Sequence, residues 1–171
     1  MTQAPRIETG RLALRPQVMS DFPAFADFFA SERACFVGGP LDARKSWAAF
    51  AADTGHWDLR GFGAWSVERK ADGALMGQVA LSHPPHFPEA ELGWVLYEGF
   101  EGQGAASEAA GAALSFAFRT LGWTTAVSYV DPENHRSAAV AERLGARLDP
   151  AAKPLDPGDL VYRHPAPEAM Q

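Results

Sequence analysis

An α/β fold of the α+β kind is predicted from this sequence, with a mixed, mostly antiparallel central sheet of about six to seven strands flanked by about four helices. Two patterns predict it. An Asp-Gly pair, Asp72-Gly73, separates two runs of alternating polar and apolar residues, which is a strong hairpin signal. An alanine-rich helical pattern at residues 107–121 links two strand-like runs, and strands joined through a helix pair in parallel. We therefore expect an antiparallel front half followed by one parallel step.

Each further element follows from a local pattern. Residues 11–15 alternate and stop at Pro16, which predicts the first strand. Four phenylalanines recur at helical spacing after Ser20, so we expect a helix with an aromatic stripe and Ser20 as its N-cap. Glycine C-caps are expected to end the second helix at Gly55 and the last helix at Gly145. The predicted strands span residues 11–15, 63–69, 75–81, 90–96, 124–130, 146–148 and 160–163. The predicted helices span residues 21–30, 42–53, 107–121 and 136–144.

Length and composition favour a single domain over residues 1–171, with loose ends at residues 1–6 and 165–171. The net charge of −6 argues against nucleic acid or an anionic membrane as a partner. Because no apolar run reaches the length of a membrane span and no leader-like segment opens the chain, we expect a cytoplasmic protein. It is expected to be a monomer or a homodimer.

The cysteine and histidine residues of the sequence do not form a pattern that is typical of a metal site. Cys35 is the one cysteine, which excludes an intrachain disulfide and argues against a cysteine-based zinc site. Since no catalytic motif surrounds it, we expect a small, partly buried residue. His83 and His86 are separated by two prolines and have no third ligand nearby, so no metal is expected there.

The stretch from residue 89 to residue 108 combines a strand, a glycine turn and a helix start. Such a turn can hold a phosphate on backbone N–H groups beside the positive end of the helix. The pattern Gly102-x-Gly104-x-x-Ser107 nearly fits a dinucleotide fingerprint, but the third glycine and the acid about twenty residues further on are absent, which argues against a nicotinamide oxidoreductase. No Gly-Lys-Ser/Thr follows, so a Walker A loop is excluded. Spacing alone leaves a phosphate site and a purely structural turn equally open.

Four segments, taken in their order along the chain, resemble the GNAT superfamily of acyl-CoA N-acyltransferases. This resemblance favours a phosphate site over a purely structural turn. More closely, the chain resembles the branch that contains the ribosomal-protein alanine N-acetyltransferases. The segments are IETGRLALRP at 7–16, ELGWVL at 91–96, EGQGAASEA at 101–109 and DPENHRSAAVAERLGA at 131–146. The resemblance covers nearly the whole chain. It implies acetyl-CoA as co-substrate, in a cleft where the strand at 90–96 diverges from the strand at 124–130.

The resemblance also implies roles for individual residues. Backbone N–H groups of the glycine turn would hold the pyrophosphate, and the preceding strand would pair with the pantetheine amides. Asn134 would bond the pantetheine arm, and Ser137 would lie near the sulfur and relay a proton to it; both residues could equally cap the following helix. No metal is implied. The predicted cofactor-binding residues are Val95, Leu96, Tyr97, Gly102, Gln103, Gly104, Ala105, Ala106, Asn134 and Ser137.

Three positions depart from the family pattern. Gly99 stands where many relatives carry Gln or Arg, so a side-chain anchor is lost while the backbone donors remain. Ala141 replaces the tyrosine that serves many relatives as a general acid, and Ala146 replaces a usual aromatic residue.

Glu91 is the candidate general base, acting directly or through water. It lies in an otherwise apolar run, which would raise its pKa, although a solvated or salt-bridged strand acid would show the same pattern. Glu89 shares its face by alternation and is a second candidate, and Tyr129 is a distant alternative acid. An oxyanion donor is expected among the backbone N–H groups near Val95.

These features predict an acetyl-CoA-dependent N-acetyltransferase in which a primary amine attacks the thioester directly in a ternary complex. The acceptor would be a small molecule or a protein N-terminus. The alternative is a CoA-binding sensor or interaction module without catalysis. The presence of Glu91 and Ser137, which could act as base and proton relay, favours the enzyme over the module without catalysis.

Overall fold

A computed structural model describes residues 3–166, which form one eight-stranded sheet covered by four α-helices. The strands are β1 (Ile7–Glu8), β2 (Leu12–Arg15), β3 (Ala64–Arg69), β4 (Leu75–Ser82), β5 (Glu91–Leu96), β6 (Thr125–Val130), β7 (Arg147–Leu148) and β8 (Leu160–Pro165). The helices are α1 (Phe22–Ala30), α2 (Ala43–Arg60), α3 (Ala105–Arg119) and α4 (His135–Arg143), with short 3-10 helices at Met19–Asp21 and Glu32–Ala34.

The strand order confirms the predicted fold class. It runs β1-β2-β3-β4-β5-β6-β8-β7. The β5–β6 pair is parallel and the other neighbours are antiparallel, as the hairpin and crossover signals indicated. The extra strand is β1, whose two residues are too few to show alternation.

The second helix departs most from the predicted elements. We expected it to end at Gly55, but α2 continues to Arg60 and ends at Gly61, whose φ of +78° suits glycine. A glycine inside a helix costs about 1 kcal/mol relative to alanine, so the extra turns need tertiary support. Trp57 supplies it, because its ring is buried in the core and its Nε1 donates to Ala64 O at 2.9 Å.

The start of the first helix also differs from expectation. Ser20 is not the N-cap: α1 begins at Phe22, and Asp21 holds the cap position without bonding the helix through its side chain. The Asp21 carboxylate instead accepts hydrogen bonds from Arg15, from Ser66 and from Val18 N–H at the start of the 3-10 helix Met19–Asp21, so its local bond serves that helix and not α1. The predicted aromatic stripe lies in the core, where the buried residues are Phe25, Phe28 and Phe29.

Both ends of the described chain are better anchored than the sequence indicates. Ala4 is buried, and Pro5 O accepts from Trp65 Nε1 at 2.8 Å. β8 includes Pro165, where we expected a loose tail to begin. Residues 1–2 and 167–171, the remainder of the predicted loose ends, lie outside the described residues.

Cys35 is exposed, which corrects the prediction of a partly buried residue, because it follows the surface 3-10 helix Glu32–Ala34. Within residues 3–166, no three side chains of His, Cys, Asp or Glu come together as a possible metal site. No helix in the same range is long and apolar enough to cross a membrane.

The helices divide between the two faces of the sheet. On one face α3 packs closely through small side chains, and Leu92 of β5 joins that core. On the other face α1 and the first half of α2 form an aromatic cluster that includes Phe50 and packs against Val95 of β5, while Trp57 near the end of α2 joins the core of α3. Leu92 and Val95 differ by an odd number of positions, so strand alternation places them on opposite faces. The buried alanines of α3 are Ala105, Ala109, Ala110, Ala113 and Ala117.

β5 and β6 separate almost as soon as they meet. Glu91 and Val127 are the register pair they share in the described chain, with Val127 N–H donating to Ala90 O at 3.0 Å. By contrast, the antiparallel partners β4 and β5 stay in register along six residue pairs. We call the opening between residues 92–96 and residues 128–130 the fork.

Candidate active site

The fork brings together three residues that the sequence predicted for one site. Glu91 enters from the start of β5, and Asn134 and Ser137 enter from the start of α4. The loop after α1 contributes two exposed apolar side chains on the way in. The lining residues are Phe36, Val37, Glu91, Leu92, Gly93, Trp94, Ser128, Tyr129, Val130, Asn134 and Ser137.

Glu91 is a half-buried carboxylate with no cation beside it. Across residues 3–166, no Lys, Arg or His forms an ion pair with it. Desolvation therefore raises its pKa to about 7; a hydrogen bond from the Tyr129 backbone opposes the rise, and the negative charges of Asp53 and Asp159 add to it. The carboxyl group lies over Gly93, 3.8 Å from where a Cβ would stand. A carboxylate that is about half ionised near pH 7 suits a general base.

Asp53 is a second acid on this side of the fork, and the sequence did not point to it. Burial raises its pKa to about 6, and a hydrogen bond from Gln78 Nε2 at 2.7 Å opposes the rise. Gln78 Oε1 accepts in turn from Gln17 Nε2 at 2.8 Å. Gln78 is paired with Val95 across β4 and β5, so it shares a sheet face with Glu91. No local motif marks Asp53, because its neighbours here come from distant parts of the chain.

Glu89 does not fit the role of second base. It precedes β5 and forms a two-point ion pair with Arg163, at 2.7 and 2.8 Å. The Arg163 guanidinium holds the pKa of Glu89 below its ordinary value, so this carboxylate stays ionised and bound to Arg163. The Tyr129 hydroxyl oxygen accepts from Glu89 N–H at 3.0 Å, which fixes the position of the ring but does not use the hydroxyl proton. Both residues therefore support the shape of the fork.

The start of α4 presents Asn134 and Ser137 to the cleft. Asn134 is the N-cap, and its Oδ1 accepts from Ser137 N–H at 3.2 Å. The predicted capping role is confirmed for Asn134 but not for the Ser137 side chain, and both residues line the cleft. His135, which lies between them in the chain, is exposed.

The glycine turn leaves backbone donors uncovered. Gly99, Gly102 and Gly104 have φ values of +88°, +74° and +76°, a region that side chains rarely allow. Gly104 is the N-cap of α3 and has no side chain to bond the first helical N–H groups. Ser107 Oγ is buried and has no hydrogen-bond partner within the described chain. Uncovered N–H groups at the positive end of a fifteen-residue helix fit a pyrophosphate.

Arg11 holds this turn in place from the edge of the sheet. Its guanidinium donates to Gln103 O at 2.9 Å and pairs with Glu108 of α3 at 2.7 Å. Glu108 also accepts from the Thr9 hydroxyl at 2.6 Å. The turn is thus fixed by contacts with the start of β2, which a local sequence pattern does not show.

The alternation of β5 decides which backbone groups point into the fork. Tyr97 N–H donates to Met76 O on β4 at 2.8 Å. Val95 O lies against Gly77 of β4, at a point where no Cβ would fit. The backbone groups at the intervening positions therefore face the fork.

Those intervening positions are Trp94 and Leu96. We expected backbone pairing by Val95, Leu96 and Tyr97; the geometry favours Leu96, while the Tyr97 N–H is already bonded to β4. The sequence did not indicate Trp94, because alternation shows which residues of a strand point the same way but does not show which neighbouring strand lies on that side.

A buried polar pair closes the inner end of the fork. Ser128 Oγ lies 2.6 Å from Leu92 O and 2.9 Å from His164 Nε2, and both side chains are buried. The hydroxyl has one proton, so donating it to Leu92 O requires His164 to donate from Nε2. Burial lowers the pKa of His164 to about 4, which keeps the ring neutral. The pair ties β8, β6 and β5 together where the fork begins.

Comparison with known proteins shows the family to which this fold belongs. A sequence model of the acetyltransferase (GNAT) domain matches residues 11–147, more than half of the chain. The chain belongs to the GNAT acetyltransferase family. The crystal structure of the acetyltransferase from Agrobacterium tumefaciens strain C58 is 52% identical, with 94% of each chain covered and a TM-score of 0.91.

Two more distant GNAT structures share the fold. RimL, a ribosomal L7/L12 α-N-protein acetyltransferase solved in complex with coenzyme A, is 20% identical; 94% of this chain and 98% of that chain are covered, with a TM-score of 0.76. The ribosomal-protein-S5-alanine acetyltransferase from Vibrio fischeri is 17% identical, with 96% and 98% covered and a TM-score of 0.73. At these identities the likeness shows the fold alone. The family resemblance drawn from four sequence segments is confirmed.

Proposed function

We propose that this GNAT protein transfers the acetyl group of acetyl-CoA to a primary amine, which attacks the thioester directly in a ternary complex. The observation that supports it best is the fork, where Glu91 without a cation faces Asn134 and Ser137. Acetyl-CoA supplies the activated acyl group as a thioester. The acceptor is a small molecule or a protein N-terminus.

The co-substrate is held mainly by backbone groups in this proposal. The N–H groups of Gly102, Gln103, Gly104, Ala105 and Ala106 bind the pyrophosphate, since no side chain caps this end of α3. The fork-facing backbone of Trp94 and Leu96 pairs with the pantetheine amides as a neighbouring strand would. Asn134 bonds the same arm from the opposite wall.

Glu91 takes a proton from the acceptor nitrogen, directly or through one water molecule. An amine arrives as an ammonium ion at neutral pH, and the negative charges of Glu91 and Asp53 favour its approach. A pKa of about 7 leaves Glu91 sufficiently ionised to accept the proton.

The nitrogen then forms a bond to the thioester carbon and loses a second proton to solvent, and the carbon–sulfur bond breaks. Trp94 N–H lies on the fork side of β5 and stabilises the negative charge that develops on the carbonyl oxygen. The Ser137 hydroxyl gives a proton to the departing sulfur and regains one from solvent. Ala141 leaves no tyrosine to do this from α4.

Binding and turnover are tested separately. Acetyl-CoA binding is measured by isothermal titration calorimetry. Thiol release is then followed with a panel of small primary amines and peptides with free N-termini, and acetylated products are identified by mass spectrometry. Ribosomal-protein N-termini belong in the panel because two of the structural neighbours are ribosomal-protein acetyltransferases.

Acceptor-dependent thiol release with an acetylated amine product is the expected result. Binding of acetyl-CoA without turnover on any acceptor would favour the sensor or interaction module instead. If acetyl-CoA does not bind, both functions are wrong.

A further inference from the structure

Arg33 reaches the co-substrate side of the fork from a part of the chain outside the family's glycine turn. It lies in the 3-10 helix Glu32–Ala34, after α1. Its Nη2 donates to Leu96 O at 3.1 Å and pairs with the Glu101 carboxylate. The guanidinium also lies 5.5 Å from the ring centre of Phe28, which limits its orientation.

Glu101 is an unusual neighbour for a pyrophosphate, because it places a negative charge in the turn that would receive one. Its carboxylate accepts from Gly99 N–H at 2.9 Å. Partial burial would raise the pKa of Glu101, but hydrogen bonds from backbone N–H groups and the positive charges of Arg33 and Arg136 hold it below its ordinary value. The Glu101 carboxylate therefore already binds a backbone N–H group and the Arg33 guanidinium at the turn.

We propose that Arg33 is the cationic anchor for the pyrophosphate of the CoA co-substrate, held beside the turn by Leu96 and Glu101 until the co-substrate binds. This inference rests on the proposed function. A guanidinium can bond two phosphate oxygens at once, which the compact Lys ammonium does not do.

Gly99 leaves this part of the turn without a side chain that could bond a phosphate. Nothing lies within 4 Å of the place where its Cβ would be, and its φ of +88° makes any side chain there strained. The space beside the turn is therefore open, and Arg33 is already in contact with its edge.

The co-substrate would release Arg33 from both of its present partners. Leu96 O faces the fork and is the carbonyl that a pantetheine amide would use, so the arm competes with Arg33 for it. The pyrophosphate then offers oxygens that compete with Glu101. The Arg33 and Glu101 side chains are 34% and 29% exposed, so water can assist the exchange.

Binding of CoA and of pantetheine, which lacks the pyrophosphate, separates this role from a structural one. Dissociation constants are measured by calorimetry for the unaltered chain and for Arg33→Met, Glu101→Gln and the double variant. Arg143→Met is the matched control, because Arg143 is exposed in the last turn of α4. Thermal unfolding checks that each variant is folded.

Arg33→Met is expected to weaken CoA binding by about 10- to 100-fold, as for the loss of a charge-assisted hydrogen bond, with pantetheine binding changed by less than about twofold. Glu101→Gln is expected to tighten CoA binding, and adding Arg33→Met to it should again weaken CoA binding. Arg143→Met should change neither ligand.

Three results would overturn the inference while leaving the proposed function intact. Arg33→Met could bind CoA as tightly as the unaltered chain. It could weaken CoA and pantetheine equally, which would mean a structural role. Arg33→Met could leave CoA binding unchanged when it is added to Glu101→Gln, which would mean that Arg33 only neutralises the Glu101 carboxylate. If the unaltered chain does not bind CoA, the proposed function is also wrong.

Discussion

Asp21 and Glu91 are both acids drawn into the protein, yet their surroundings give them different ionisation states near neutral pH: Asp21 is fully ionised and Glu91 only about half. Asp21 is 4% exposed and accepts from Arg15 at 2.8 and 2.9 Å, from Ser66 Oγ at 2.7 Å and from Val18 N–H at 3.0 Å. Although burial acts to raise its pKa, these donors hold it below the ordinary value. Glu91 is more exposed but has no cation, and its pKa rises to about 7.

The difference shows that the supply of donors, more than the depth of burial, decides whether a carboxylate stays ionised. Asp53 resembles Glu91 in having no ion pair among the described residues, whereas four other acids near the fork and the turn resemble Asp21 in having an arginine partner. They are Glu89 and Asp149 with Arg163, Glu101 with Arg33, and Glu108 with Arg11. An acid left without a cation lowers stability, so its position in a cleft is evidence of chemistry there.

The largest effect is expected from Glu91→Gln. Losing the general base should lower kcat/KM for acetyl transfer by about 10²- to 10⁴-fold, while the affinity for acetyl-CoA stays nearly constant. Steady-state thiol release measures the first and calorimetry the second. Glu98→Gln, an exposed acid just beyond β5, is the control and should retain activity. Unchanged turnover in Glu91→Gln would remove Glu91 from the mechanism.

Asp21→Ala should act on stability. Removing one partner of a buried ion pair costs about 3–5 kcal/mol, and Arg15 would keep only Glu68 as an acidic partner. Urea denaturation at pH 7 gives the change in unfolding free energy. Asp27→Ala, on the exposed side of the same helix, should change it by less than about 0.5 kcal/mol. A small loss at Asp21 would mean that this ion pair contributes little to the fold.

The pH dependence of stability should reveal Glu91 directly. Its pKa is about 7 in the folded protein against 4.5 ordinarily, so the folded state binds more protons between those values. The contribution of Glu91 to the unfolding free energy should therefore fall by about 3 kcal/mol as pH rises from about 4.5 to 7, while Asp53 and His164 titrate alike in both proteins. Glu91→Gln should lack this contribution, so the unaltered chain should lose stability relative to the variant between pH 5 and pH 8. Urea titrations of the unaltered chain and of Glu91→Gln at pH 5 and at pH 8 test this expectation. If the two proteins differ in unfolding free energy by the same amount at both pH values, the pKa of Glu91 is not raised.

The smallest effect is expected from Asp53→Asn, which removes a negative charge near Glu91. Activity should rise with pH through an apparent pKa of about 7 as Glu91 ionises. Without the charge of Asp53, that pKa should move down by less than about one unit. The pH profile of kcat/KM measures the shift. Asp58→Asn, an exposed acid further along α2, should leave the profile in place. An upward shift in Asp53→Asn would contradict the electrostatic coupling.

Much of the fold followed from local patterns. Asp72-Gly73 predicted the hairpin, and the helix between two strands predicted the parallel step. The misplaced boundaries have a common cause, because tertiary contacts overrode a local signal. Trp57 extends α2 past Gly55 by packing in the core, and the Asp21 carboxylate bonds Arg15 and Val18 N–H instead of the first turn of α1.

By itself, the sequence determined the order of strands and helices, the glycine turn and the family, because these depend on spacing along the chain. It also placed an acid in an apolar strand. The tertiary structure alone decided that Glu91 lacks a cation while Glu89, two residues earlier, has Arg163. It also decided that Arg33 stands beside the turn. A charge is set by its neighbours in space, and those neighbours are contributed by residues far away in the chain.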